Sequence, residues 1–186
     1  MDRREFVKIC STALVASTLS STLSSVAEEI KQSKIDVDPE EFAELAYKHF
    51  IPEKLTCCES MLLAGCEVMG IKCDLVPDIT LGLAGGVGFQ GEICGVVTGS
   101  AMVISLAIAK KETDYDKKKM AILTAVGQFH NSFKEKFGCT DCRTLSGLDL
   151  TTPEGKKKLA EGVKANVCSN FVKGGAKLLA QKLQNI

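Results

Sequence analysis

Apolar residues recur along this chain at intervals of three and four, interrupted by glycine, proline and short polar turns. That is the period of helices rather than strands. Asp38-Pro39-Glu40-Glu41 supplies an N-cap, a proline at the first helical position and acidic residues in the first turn, predicting a helix that runs to about Phe50, before Pro52. Thr56-Cys57-Cys58-Glu59 is a second capping box. It opens a helix with Met61, Leu62, Leu63, Cys66 and Met69 near one apolar stripe, stopping at Gly70. Met120, Leu123, Val126, Phe129 and Phe133 recur at helical spacing and predict a long amphipathic helix over 116–137. Thr152-Pro153-Glu154 starts another, and a last helix is expected over 167–183, with Gly174-Gly175 as its weak point. Ile93 to Ala109 carries no charge. It falls short of the ~20 residues that span a bilayer and is expected to be a buried central helix, in which Gly95 and Gly99 let a neighbour come close. The fold class is therefore all-α, a compact multi-helix domain around a central apolar, glycine-containing helix.

Composition narrows the function. At 186 residues the chain suits one domain that buries its own core. Lys plus Arg and Asp plus Glu number 23 each, tryptophan is absent, and the runs Lys117-Lys118-Lys119 and Lys156-Lys157-Lys158 read as solvated helix faces. Nothing in that balance calls for nucleic acid as a partner. The amino terminus MDRREFVKICSTALVAS resembles a twin-arginine export signal, with Arg3-Arg4, Phe6, Lys8 and an apolar, serine-rich run ending near Ala27; Asp2 stands where a serine is usual. The expected organisation is a signal over 1–27, a polar linker over 28–37 and a helical, cysteine-containing redox domain over 38–186 in the periplasm or cell envelope. That route carries chains already folded, often around a cofactor inserted beforehand, so it favours a pre-loaded metal or cluster.

Gly86-x-Gly88-x-x-Gly91 spells the dinucleotide fingerprint. The fingerprint needs a strand before it, a full helix after it and further strands to complete a sheet. Residues 79–84 and 103–109 can imitate strands, but everything downstream reads helical, so NAD is not expected and the glycines serve Cys94 instead.

Nine cysteines are the compositional outlier. Cys57 and Cys58 fall in the first turn of a capped helix and Cys94 near the start of another, where the positive helix end favours thiolate. Cys139-x-x-Cys142 has the spacing of metal knuckles and of dithiol redox pairs. Two helix-start thiols, that pair and Cys168 can converge on one site. Cys66 and Cys73 read as core or incidental positions, and His49 and His130 as isolated. No C-x-x-C-H occurs, which excludes covalent c-type haem.

Four of these pieces, Thr56-Cys57-Cys58-Glu59-Ser60, Gly91-Glu92-Ile93-Cys94-Gly95-Val96-Val97-Thr98-Gly99, Phe137-Gly138-Cys139-Thr140-Asp141-Cys142-Arg143 and Val167-Cys168-Ser169, lie in an order that resembles the C_GCAxxG_C_C family of redox-active proteins, defined by four cysteines and a C-G-A-x-x-G motif. The resemblance spans roughly 42–183, with Val96 where the family has alanine. It implies that Cys58, Cys94, Cys142 and Cys168 are the site cysteines, with Cys57 and Cys139 as possible additions. As ligands they suit an iron–sulfur cluster or another thiolate-bound metal in electron transfer. Thiol–disulfide exchange with Cys58 or Cys142 as the redox thiol is the alternative, and a non-catalytic, disulfide-stapled module the third. Either redox reading requires a partner protein, which for an exported chain includes membrane-associated ones.

Overall fold

The computed structural model describes residues 35–186, so the expected signal over 1–27 lies outside the described residues. Seven α-helices follow in order: α1 Pro39–Phe50, α2 Cys57–Val68, α3 Gly95–Ala109, α4 Tyr115–Phe137, α5 Cys142–Ser146, α6 Pro153–Lys158 and α7 Ser169–Leu183. A 3-10 segment, Asp78–Leu83, precedes α3, and a π-helical segment, Leu159–Cys168, joins α6 to α7. The fold is all-α. Among the described residues, the lone β contact is an isolated antiparallel bridge between Ile93 and Asp141. No described helix is long and apolar enough to cross a membrane.

The helix starts follow their local chemistry. Asp38 accepts from the N–H groups of Glu40 and Glu41 at 2.8 and 3.0 Å. Thr56 and Glu59 close the capping box of α2, and Asp114 accepts from Lys117 N–H to start α4. Asp141, accepting from Thr144 N–H, starts α5, a single turn. Gly147, at φ 69°, ends it. The helix begun at Thr152-Pro153 is shorter than its pattern suggests: Gly162 leaves helical dihedrals and the wider π turn carries the chain on to Cys168.

Helix α3 lies at the centre, packed against α2, α4 and α7, while α1 packs on α7 and α2. Val103, Ile104, Phe133, Val172, Leu179 and Leu183 are fully buried there. Gly174-Gly175 is not a weak point, because α7 runs through it. A Cβ at Gly174 would lie 2.6 Å from Phe137 Cζ, and one at Gly175 would lie 2.3 Å from Val96 Cγ1. The pair lacks side chains because α3 and α4 press against it. Gly175 also explains how valine is held in the motif where the family has alanine: the space α7 vacates is the space Val96 fills.

Candidate functional site

The glycine-rich stretch is a coil of left-handed turns, with φ of 63°, 73°, 60° and 82° at Gly85, Gly86, Gly88 and Gly91. Its backbone donors are spent on its own carbonyls: Gly88 N–H on Gly82, Gly91 N–H on Gly85 and Glu92 N–H on Gly86. Those amides are not free to cradle phosphate, and among the described residues no strand precedes them. The loop instead holds the start of α5. Cys142 N–H donates to Glu92 O at 2.6 Å, Arg143 N–H to Gly91 O at 2.9 Å, and Cys94 N–H to Thr140 O at 2.8 Å. This short antiparallel pairing ties Cys94, the N-cap of α3, to Cys142, the first residue of α5.

Gly95 and Gly99 bring α2 to the same place. A Cβ on Gly95 would lie 2.9 Å from Cys58 N and 3.3 Å from Cys57 Sγ; one on Gly99 would lie 2.7 Å from Cys58 O. Only the missing side chains allow the two helix starts to touch. Cys57, Cys94, Cys142 and Cys168 therefore line one apolar cavity of about 20 Å³, closed by Val96, Leu145, Ser146 and Phe171.

Of the four expected site cysteines, three meet: Cys94, Cys142 and Cys168. The fourth thiol on the cavity is Cys57, which the sequence offered only as an addition. The neighbouring Cys58 is turned about a third of a helical turn away. It is fully buried, donates to Thr80 O at 3.1 Å and lies 3.2 Å from Thr56 Oγ1. Cys139 is half-buried and does not line the cavity. Cys66 is buried and Cys73 exposed, both away from it. His49 is buried elsewhere, with Nδ1 2.7 Å from Glu53 and Nε2 3.2 Å from Glu67.

The four thiols are not equivalent. The neighbouring Cys94 thiol is the largest influence on Cys57 and, with the amides of Cys57 and Cys58 and the charge of Lys164, holds it below the usual thiol value despite burial. Cys94 is correspondingly held well above that value, first by its interaction with Cys57 and then by burial. Burial, with the nearby Cys57 second, pushes Cys142 and Cys168 up to about 12. Lys164, which the cysteine pattern does not reveal, is fixed where its charge acts on Cys57 and Cys168. Its Nζ donates to Leu55 O at 2.9 Å and Lys54 O at 3.2 Å and sits over the Phe50 ring, 4.7 Å from its centroid. Its place four residues before Cys168 is the one sequence signal that could have found it.

The donor set suits a soft metal, since four sulfurs on one cavity are what iron–sulfur clusters and zinc take. Its present spacing does not fit a cluster. Among the described residues no three His, Cys, Asp or Glu side chains stand in metal-holding geometry, and the cavity offers room for about one water molecule. A cluster would require the cavity to rearrange around it.

A helical domain whose loops and glycines gather thiols from four elements onto one cavity is a cysteine-rich protein of the redox-active kind. The chain belongs to the C_GCAxxG_C_C family: the family model "Putative redox-active protein (C_GCAxxG_C_C)" matches residues 55–182. That range begins later than the resemblance from Phe42 suggested. The chain is also similar to an uncharacterized protein of Archaeoglobus fulgidus, 28% identical over 117 residues, covering 59% of this chain and 78% of that one. No solved structure matches it.

Proposed function

We propose that this protein exchanges electrons by thiol–disulfide chemistry, with Cys57 as the attacking thiolate and Cys94 as the resolving thiol. The observation that carries the reading is the meeting of Cys57 and Cys94 on one cavity, where Cys57 is held below the usual thiol value and Cys94 well above it. A thiol held low at a helix start, backed by Lys164, is the natural nucleophile of the set, and a partner reaches it when the cavity opens. The Cys57 thiolate attacks one sulfur of a partner protein's disulfide, whose S–S bond breaks as a mixed disulfide forms and one partner thiolate leaves. Cys94 then gives its proton to that thiolate and attacks Cys57, expelling the second partner sulfur. Two electrons pass to the partner and a Cys57–Cys94 disulfide remains. Cys142 and Cys168, held protonated by burial, do not compete as nucleophiles at neutral pH. Export by the twin-arginine route, and a partner in the cell envelope, rest on residues 1–27.

The convergence of four thiols favours a second reading, in which Cys57, Cys94, Cys142 and Cys168 hold a metal or an iron–sulfur cluster for electron transfer. Anaerobic purification followed by an absorption spectrum and iron, zinc and sulfide analysis separates the two. The dithiol reading expects a colourless, metal-poor protein in which oxidised glutathione forms a Cys57–Cys94 disulfide that Cys57→Ser abolishes. Stoichiometric metal, with a chromophore lost in Cys57→Ser, would replace it with the metal reading.

A further inference from the structure

Helix α3 is apolar around its whole circumference, yet the described residues cover only part of it. Val96, Val103, Ile104 and Ala107 face the core and are buried. A second stripe, Thr98, Ala101, Met102, Ser105, Leu106 and Ala109, instead forms the floor of a groove of about 870 Å³. A helix without a polar face is normally enclosed, so an open apolar stripe signals that something covers it. The walls are equally apolar. Leu62 and Cys66 of α2, the residues around the 3-10 segment and a stripe of α4 close the sides, and Ile79 and Leu123 at the rim are 62% and 58% exposed. The volume is that of a small-molecule site.

Among the described residues one charged residue lines this groove, Lys118, and no acidic one does. Lys118 makes no salt bridge with any described carboxylate. It lies in the first turn of α4, where the helix end is also positive. Because α3 and α4 are joined by the short segment 110–114, the start of α4 stands beside the end of α3. Lys118 therefore marks one end of the groove, and the floor runs from there about 16 Å along α3 toward Thr98 without meeting another charge. A long, uncharged trough with a single ammonium at one end has the polarity of an amphiphilic anion laid lengthwise.

We propose that this groove binds a long-chain carboxylate, its acyl chain on the α3 stripe and its carboxylate at Lys118. The site is separate from the cysteine cavity, and no residue lines both. The proposal therefore stands or falls independently of the thiol chemistry.

The test uses the full chain, stripped of co-purified lipid and titrated with cis-parinaric acid, whose fluorescence rises on apolar burial. Saturation at one equivalent is expected. Ala101→Trp fills the trough from a half-buried position and should abolish the signal, with circular dichroism reporting the fold. Leu123→Glu, at an exposed rim position, serves the same end if the tryptophan variant does not fold. Lys118→Met should weaken the acid about tenfold, the loss of one charge-assisted contact, and leave methyl parinarate unchanged. Absence of saturable binding by the folded full chain overturns the proposal, as do equal affinities for acid and ester or binding that survives both blocking variants. Association only with anionic phospholipid vesicles, or a homodimer that Ala101→Trp splits and that takes up no probe, overturns it as well.

Discussion

Replacing Cys94 with alanine removes the thiol that acts most strongly on Cys57 and leaves the helix-start amides and Lys164 in place. A hydrogen bond to a charged acceptor contributes about 1.5–3 kcal/mol, and one pH unit of titration corresponds to about 1.4 kcal/mol. A thiol is a weak donor, so the lower end applies and the titration of Cys57 should move up by about one unit. At any pH where the wild-type thiol is still mostly protonated, the thiolate fraction, and with it the rate of attack on an alkylating agent, should fall by about tenfold. The assay is the pH dependence of iodoacetamide labelling, followed by tandem mass spectrometry that separates the adjacent Cys57 and Cys58. Cys94→Ser keeps a hydroxyl donor and should stay near the wild-type profile. This contrast distinguishes the hydrogen bond from the mere loss of a sulfur. Superimposable profiles for wild type and Cys94→Ala would refute the reasoning, because the asymmetry between the two thiols would then arise elsewhere.

Gly175→Ala drives a methyl to 2.3 Å from Val96 Cγ1 and should cost about 1–3 kcal/mol in urea unfolding; adding Val96→Ala should recover most of that loss. Cys142 and Cys168 titrate at about 12 in the folded protein, above the ordinary thiol value, so their burial stabilises the fold below that value. That contribution is lost as pH rises toward 12, so the urea midpoint measured under reductant should fall with alkalinity, and fall less in the Cys142→Ala, Cys168→Ala double variant. Arg3→Lys combined with Arg4→Lys should retain the protein in the cytoplasm, as fractionation will read; unimpaired export would show that the amino terminus is not a twin-arginine signal.

Helix identity was legible in the sequence because caps and apolar spacing are local. Asp38-Pro39, Thr56 with Glu59 and Thr152-Pro153 each start a helix whose hydrogen bonds close within four residues, and the spacing of Met120, Leu123, Val126, Phe129 and Phe133 marks α4. The rejection of a nucleotide fold was legible for a related reason: a fingerprint without flanking strands cannot become a βαβ unit, and the glycines here coil on themselves. The family pattern likewise marked Cys94, Cys142 and Cys168 as candidates. The choice between Cys57 and Cys58 was not legible. Both occupy the same helical turn, and only the approach of α3 through Gly95 and Gly99 decides which sulfur meets Cys94 and which turns to Thr80. The role of Gly174-Gly175 was hidden in the same way, because a glycine pair reads as a break until a neighbouring valine and phenylalanine are seen to fill its space. The partial exposure of α3 also depends on tertiary structure. Its sequence states that it is apolar on every side, but how much of that surface the other helices cover is set by the crossing and length of α2 and α4, a balance of packing among segments far apart in the chain.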